Sequence, residues 1–153
     1  MKDELIPPTG ETAPVASPGQ ASLPYHILVV EDDLLARQLS TSMLIDAGYE
    51  VDATQDGGIA WDALQFRKYD LVITDNRLPK MSGIELLKKL RGAGMTLPVI
   101  LATGVAPKEE FPRKPSIQPD ATLVKPYSLA DFLETVKRVL CGAEPVVAQR
   151  AAT

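Results

Sequence analysis

Residues that can bind a metal ion or a phosphate group follow four apolar runs of this chain. Glu31 and Asp32 come after ILVV, Asp75 after LVIT, Thr103 after VILA and Lys125 after TLV. Carboxylates are common ligands of Mg²⁺, and a carboxylate is also a nucleophile toward phosphorus when the charge on the transferring group is neutralised. A hydroxyl and an ammonium group can contribute to that neutralisation. The set therefore predicts phosphoryl transfer onto a carboxylate, assisted by Mg²⁺.

These residues can act together only if the ends of the four runs meet in space. Short runs rich in Val, Ile and Leu that alternate with helical patterns are typical of strands buried in a parallel sheet. In such a sheet the ligand site lies beyond the carboxyl ends of the strands. We therefore predict an α/β fold, a doubly wound parallel sheet with helices on both faces. Its strands are predicted at 26–30, 50–54, 71–75, 98–103 and 121–124, and its helices at about 34–47, 58–67, 82–91 and 129–140.

Apolar residues at helical spacing mark the inward faces of the last two predicted helices. In the first of these, Lys88, Lys89 and Arg91 are predicted on the solvent side. Ser128 stands where it can cap the second. The two apolar stripes are Ile84, Leu87 and Leu90, and Leu129, Phe132, Leu133, Val136 and Leu140.

Composition divides the 153 residues into three parts. Residues 1–24 hold five prolines without apolar periodicity and are predicted to be a disordered leader, followed by one domain at 25–140 and a short tail at 141–153. A net charge of -4 argues against the basic surface that direct nucleic-acid binding needs. A single cysteine, Cys141, and the lack of a twenty-residue apolar span predict a cytoplasmic protein without membrane insertion.

The strand-end acids also have an ordinary structural interpretation. A single acid at a strand end is often a helix cap, and either Asp32 or Asp33 could cap the helix that follows. Several carboxylates at one edge of a sheet would, however, repel one another, and a divalent cation would relieve that repulsion. Together with the Lys125-Pro126 pair, the set favours the functional interpretation.

Four segments resemble the motifs of the receiver domain of bacterial response regulators. They are VVEDD at 29–33, LVITDNRLPKMSGIELL at 71–87, PVILATG at 98–104 and LVKPY at 123–127. The resemblance runs from about residue 26 to residue 140. It implies the flavodoxin-like, five-stranded sheet with strand order 2-1-3-4-5. It also implies a signalling domain that catalyses only its own phosphorylation and slow dephosphorylation, rather than a turnover enzyme.

The resemblance implies a role for each strand-end residue. Asp75 would be the phosphoacceptor, and Thr103 and Lys125 would contact the phosphoryl group. The Lys125-Pro126 peptide bond is expected to be cis. The implied Mg²⁺ ligands are Asp32, Asp75 and the backbone carbonyl of Arg77, with Glu31 acting through the water shell of the metal.

Three further positions are implied to modulate the site. Arg77 would lie beside the phosphoryl group and set how fast water removes it, and Gly104 and Val105 follow Thr103 in the sequence. A long cation at Arg77 could shield the acyl phosphate, pair with Glu31, or simply point to solvent.

The chain departs from the family between the fourth and fifth strands. The stretch VAPKEEFPRKPSIQPDA at 105–121 contains four prolines, and an interior proline costs a helix about 3 kcal/mol. We therefore predict that the fourth helix of the family is short or missing, and that segment 105–120 is itself the element that responds to phosphorylation. Thr122 stands at the switch position where receivers often carry an aromatic residue, so the usual rotamer switch coupled to Thr103 is predicted to be absent.

The resemblance implies two protein partners. A histidine kinase or a phosphotransfer domain would donate the phosphoryl group, and an unknown downstream protein target would respond to it. The tail after Leu140 is too short for an effector domain, which predicts either a stand-alone receiver or a receiver module of a hybrid histidine kinase.

Other functional classes fit the residues less well. A phosphatase of the haloacid dehalogenase type needs a second acid two residues after its nucleophile, where this chain has Arg77. A nucleotide-binding domain needs a glycine-rich loop after its first strand, where this chain has EDDLLAR. The nearest alternative is a receiver-like scaffold that works without phosphorylation.

Overall fold

Strands and helices alternate along residues 24–104 and 117–142, which are the residues that the computed structural model describes. The strands are β1 (His26–Val30), β2 (Glu50–Thr54), β3 (Leu71–Asp75), β4 (Val99–Thr103) and β5 (Ala121–Val124). The helices are α1 (Leu34–Asp46), α2 (Gly57–Phe66), α3 (Gly83–Gly92) and α4 (Leu129–Leu140). The bounds differ from the predicted ones by at most one residue at either end.

The five strands form one parallel sheet in the order β2-β1-β3-β4-β5. This confirms the predicted strand order 2-1-3-4-5. In the register of the sheet, Asp75 at the end of β3 lies opposite Ala102, and Thr103 at the end of β4 lies opposite Val124. The carboxyl ends of these strands therefore lie along one edge of the sheet, as the sequence predicts.

An apolar layer covers each face of the sheet, because alternate residues of a strand point to opposite sides. Helices α1 and α4 pack on one face and α2 and α3 on the other. The first layer includes Ile27, Val29, Leu44, Leu71, Ile73, Ile100, Phe132 and Val136. The second includes Leu28, Val30, Leu64, Val72, Leu86, Leu87, Leu90 and Val99.

Side-chain caps fix where the helices begin. Of the two candidate caps, Asp32 and Asp33, Asp33 is the cap of α1, and its carboxylate accepts a hydrogen bond from the N–H of Ala36 at 2.8 Å. Asp32 is thereby left for another role. The predicted cap of α4 is confirmed, because Ser128 accepts a hydrogen bond from the N–H of Asp131 at 3.0 Å.

Two side chains depart from the predicted helix faces. Arg91 is not on the solvent side, because its side chain is only 16% exposed and donates to the carbonyl oxygens of Met95 and Leu97 at 3.0 and 2.9 Å. The same guanidinium lies 3.2 Å from Asp120, just before β5. Leu129, the first residue of the predicted stripe on α4, is 52% exposed.

Several predictions fall outside the described residues. Residues 105–116, which hold Val105 and most of the predicted responsive segment, are among them, so the predicted short or missing fourth helix stays a prediction. The leader up to residue 23 and the tail from residue 143 are outside as well. Among the helices of the described residues, none combines the length and the apolar character that a membrane span requires.

Candidate functional site

Three carboxylates meet at the edge of the sheet where β1 and β3 end. Oxygen atoms of Glu31, Asp32 and Asp75 all lie within 4.8 Å of one another. The two strands are neighbours in the sheet, which places residues that follow β1 beside the last residue of β3. Glu31 is buried, Asp75 is partly buried and Asp32 is exposed. The cluster is therefore closed on its Glu31 side and open to solvent on its Asp32 side.

Lys125 joins the cluster from the end of β5. Its Nζ atom lies 3.4 Å from Oε1 of Glu31 and 3.5 Å from Oδ2 of Asp75. The backbone of this residue is held as well, because its N–H donates to the carbonyl oxygen of Thr103 at 2.7 Å. The Lys125-Pro126 peptide bond is cis, as expected. One ammonium group thus connects the acids that the first and third strands supply.

Burial and charge oppose each other in this cluster. Burial raises the pKa of Glu31 and the pKa of Asp75 above their ordinary values, although Lys125 partly offsets both rises. Burial alone would lower the pKa of Lys125, but the attraction of Asp75 and Glu31 outweighs it and the pKa is raised. When all are ionised, three carboxylates and one ammonium leave a formal charge of -2. A divalent cation would neutralise that charge.

The donor set fits Mg²⁺. All three acidic side chains offer oxygen ligands, which hard cations prefer, and the exposed side at Asp32 leaves room for the waters that Mg²⁺ usually keeps. A cavity of about 740 Å³ opens on this side. Its walls include Asp32, Asn76, Arg77, Leu78, Pro79, Ser82 and Ile84.

The loop after Asp75 is tied to the start of α3. Asn76 receives a hydrogen bond on its side-chain oxygen from the N–H of Ile84 at 3.1 Å, and on its carbonyl oxygen from the N–H of Gly83 at 3.0 Å. Its own N–H donates to the carbonyl oxygen of Ala102 in β4 at 3.0 Å. The backbone around the predicted phosphoacceptor is therefore fixed from two sides.

Thr103 lies where the sequence predicts it, at the end of β4 beside β3, and it is 3% exposed. Gly104 follows it on the surface. Thr122 lies in β5 opposite Leu101 and is partly buried. The structure thus brings Thr103 to the edge that carries the acids. Thr122 lies two residues before Val124, the last residue of β5, and so lies further from that edge.

Arg77 lines the cavity but does not pair with Glu31. Its side chain is exposed and forms no ion pair with any residue in the described ranges. The Glu31 carboxylate instead takes Lys125 on one oxygen and the N–H of Asp33, at 3.1 Å, on the other.

Sequence reasoning did not find two residues beside the site. Arg37 in α1 donates from Nη1 to the carbonyl oxygen of Glu31 at 2.8 Å. Tyr127 lines a cavity together with Glu31 and Lys125, and its ring stacks on Phe132 with the centroids 5.7 Å apart. A cation in the first turn of a helix is an unusual placement, and it is the one sequence signal that could have drawn attention to Arg37.

A doubly wound parallel sheet of this order, with acids, a threonine and a lysine at its strand ends, defines the class of CheY-like receiver domains. The sequence model of the response regulator receiver domain matches residues 27–137, and the chain belongs to that family.

Known relatives agree with this assignment. The probable transcriptional regulatory protein SilR of Salmonella typhimurium is 34% identical over 114 residues, which are 74% of this chain and 50% of SilR. The chemotaxis response regulator CheY4 of Vibrio cholerae superposes with a TM-score of 0.69 at 31% identity, covering 76% of this chain and 98% of CheY4.

A magnesium-bound receiver is also similar. The receiver domain of the sensor histidine kinase PA1611 of Pseudomonas aeruginosa PAO1 has a magnesium ion coordinated in its active site cleft. It matches with a TM-score of 0.68 at 26% identity, over 77% of this chain and 98% of that domain. The chain covers nearly all of that receiver domain, but it spans only about half the length of the curated relatives it matches.

Proposed function

We propose that this receiver domain accepts a phosphoryl group on Asp75 from a histidine kinase or a phosphotransfer domain, and signals to a downstream protein target through protein contacts. The observation that carries the proposal is the position of Lys125, whose ammonium group lies 3.5 Å from Asp75 and 3.4 Å from Glu31. We place this reaction in the cytoplasm, a compartment that suits the single cysteine of the chain.

The proposed step is an in-line displacement at phosphorus. A carboxylate oxygen of Asp75 attacks the phosphorus atom of a phosphohistidine while the bond from phosphorus to the imidazole nitrogen breaks. The nitrogen leaves with the electron pair, and an acyl phosphate forms on Asp75. Lys125 balances negative charge on the phosphoryl oxygens, and the Thr103 hydroxyl donates a hydrogen bond to one of them.

Mg²⁺ is the cofactor that we propose for this step. Asp32, Asp75 and the backbone carbonyl of Arg77 would hold the ion, and Glu31 would act through its water shell. When bound, the metal would supply positive charge to the phosphoryl oxygens, in addition to the charge of Lys125. The supporting observation is the cluster of three carboxylates, whose exposed side opens into the cavity beside Arg77.

The surface next to the site supports a protein as the phosphodonor. Leu35 and Leu39 on α1 are 74% and 61% exposed, and Leu129 at the start of α4 is 52% exposed. Leu39 and Leu129 border a groove of about 590 Å³ that reaches Glu31 and Lys125. Exposed apolar side chains grouped beside a reactive site are typical of a protein interaction surface.

We propose that two positions, Arg77 and Gly104, tune the lifetime of the phosphoryl group on Asp75. A third, Thr122, affects how the phosphorylated state is transmitted to the partner. Arg77 lines the cavity, and Gly104 follows Thr103 at the surface. Thr122 occupies the switch position in β5, so we propose that the phosphorylated state is transmitted without an aromatic rotamer switch.

Incubation with acetyl phosphate and Mg²⁺, followed by intact-mass measurement, tests the proposal. The wild-type chain should gain one phosphoryl group, and Asp75→Asn should gain none. Asp62→Asn, which removes an exposed acid from α2, is the matched control and should be phosphorylated normally. A folded wild-type protein that gains no phosphoryl group would favour the scaffold alternative, and a gain that survives Asp75→Asn would place the phosphoacceptor elsewhere.

A further inference from the structure

Arg37 folds back from α1 onto the loop that supplies two of the carboxylates. Its Nη1 atom lies 2.8 Å from the carbonyl oxygen of Glu31 and 3.4 Å from the carbonyl oxygen of Asp32. The first of these is a short hydrogen bond from a charged donor, a class stronger than a bond between neutral groups. The guanidinium therefore contacts the carbonyl of the peptide bond that joins the two acids, and the carbonyl of the peptide bond that follows it.

The position of Arg37 is unfavourable for the helix itself. It is the fourth residue of α1, and the first turn of α1 contains no acidic residue. The amino end of a helix carries partial positive charge, so a cation in the first turn is repelled there. The side chain is held in place by its contacts with the loop and not by any benefit to the helix.

Asp32 is the carboxylate that depends most on this loop. Within the described ranges its side chain makes no hydrogen bond, whereas Glu31 is held by both Lys125 and the N–H of Asp33. The direction of the Asp32 side chain is consequently set by the backbone that carries it. Arg37 binds two carbonyl oxygens of that backbone, and the Glu31 carboxylate binds the N–H of Asp33.

We propose that Arg37 is a positioning residue for Mg²⁺ binding. It fixes the peptide planes at Glu31 and Asp32, so that the exposed Asp32 carboxylate stays directed at the carboxylate of Asp75. The proposal rests on the proposed function only in placing Mg²⁺ at this cluster, and it does not depend on phosphorylation of Asp75.

The first test measures Mg²⁺ affinity by isothermal titration calorimetry on the full chain. Arg37→Ala should weaken Mg²⁺ binding about tenfold, the lower end of the effect seen when a partner of a metal ligand is removed. Arg37→Lys keeps the charge and can reach one carbonyl, so it should recover part of the affinity. Arg67→Ala removes the same charge from an exposed site where the partner is Asp52, and it should bind Mg²⁺ like the wild type.

The second test separates positioning from a general loss of fold. The rate of phosphorylation by acetyl phosphate is measured against Mg²⁺ concentration for each variant. Arg37→Ala should need about tenfold more Mg²⁺ for half of its maximal rate and should approach the wild-type rate at saturation. Circular dichroism provides the folded fraction, and Arg37→Gln replaces Arg37→Ala if the latter does not fold.

Distinct results overturn the two proposals. Unchanged Mg²⁺ affinity in folded Arg37 variants, even with a lowered Tm, would reduce Arg37 to a structural residue and overturn the inference. A wild-type chain that binds no Mg²⁺ would overturn it too. If Mg²⁺ binds in an Arg37-dependent way but Asp75 takes no phosphoryl group, the inference stands and the proposed function fails.

Discussion

A Cβ atom at Gly83 would lie 2.6 Å from the backbone carbonyl oxygen of Asp75. It would also lie 2.8 Å from Cδ1 of Leu101 in the neighbouring strand. These separations are shorter than real Cβ contacts, so α3 can approach the end of β3 only because position 83 has no side chain. The glycine therefore allows the helix to hold the backbone of Asp75, the proposed phosphoacceptor, in place.

We expect Gly83→Ala to destabilise the domain and to impair phosphorylation of Asp75. The added methyl group must push away the backbone of Asp75, and overpacking of this kind typically costs about 1–3 kcal/mol. Urea unfolding measures the loss of stability, and the acetyl phosphate reaction measures the loss of rate.

Gly92→Ala in the same helix is the matched control. A Cβ at Gly92, the last residue of α3, meets no atom within 4 Å, so alanine should leave both the site and the stability of the domain almost unchanged. Equal unfolding midpoints for the two variants would show that the close approach at Gly83 does not matter.

Mg²⁺ should stabilise the folded protein, because the proposed site, a cluster of three carboxylates, exists only after folding. At a concentration 100-fold above Kd, mass action alone adds about 2.7 kcal/mol to the free energy of unfolding. The rise in Tm with added Mg²⁺ measures this effect, and chelation by EDTA should reverse it. Asp32→Asn should lose most of the rise and Asp62→Asn should keep it, whereas an equal rise in both variants would place the ion elsewhere.

The sequence predicts the positions of the strand-end residues well, since they depend on strong local patterns. A continuous apolar run such as LVIT has few alternatives to a buried strand, and it predicts β3 at the bounds that the structure shows. Once the strands are parallel neighbours, Asp75 and the acids after β1 must come together.

Contacts between side chains and distant backbone were not predictable in the same way. Helix periodicity predicts Arg91 in solvent, because it ignores the loop that folds back to offer the guanidinium the carbonyls of Met95 and Leu97. The sequence does not reveal the contacts of Arg37, because its partners are carbonyl groups, which every residue carries. The choice of Asp33 as the cap of α1 likewise depends on backbone geometry that two adjacent acids do not reveal.

Tyr69 provides a test of pH dependence away from the site. The pKa of Tyr69 is raised to about 12. Burial is the largest cause, and the second is the hydrogen bond that the hydroxyl donates to Asp52 at 2.6 Å. The neutral phenol is therefore favoured by folding. Its contribution to stability is complete below pH 10, the ordinary pKa of tyrosine, and is lost as the pH rises from there toward about 12.

Absorbance of the phenolate during alkaline titration measures this shift. Tyr69→Phe should remove a late-titrating component, and Asp52→Asn should bring that component to lower pH because it removes the charge that disfavours the phenolate. The prediction is wrong if the titration curve of the wild type is the same as that of Asp52→Asn.

Arg77→Ala should shorten the lifetime of the phosphoryl group on Asp75 by a few-fold. The exposed side chain lines the cavity next to the acids, where it can keep water from the acyl phosphate, while its backbone carbonyl, the proposed metal ligand, is unaffected by the substitution. Decay is followed by intact mass after removal of the phosphodonor. Arg77→Met keeps the length of the side chain without its charge, and Arg77→Lys keeps both. A phosphoryl lifetime preserved in both variants indicates steric shielding, whereas a lifetime preserved only in Arg77→Lys indicates an effect of the charge. If all three variants decay at the wild-type rate, the side chain of Arg77 points to solvent without influencing the phosphoryl group.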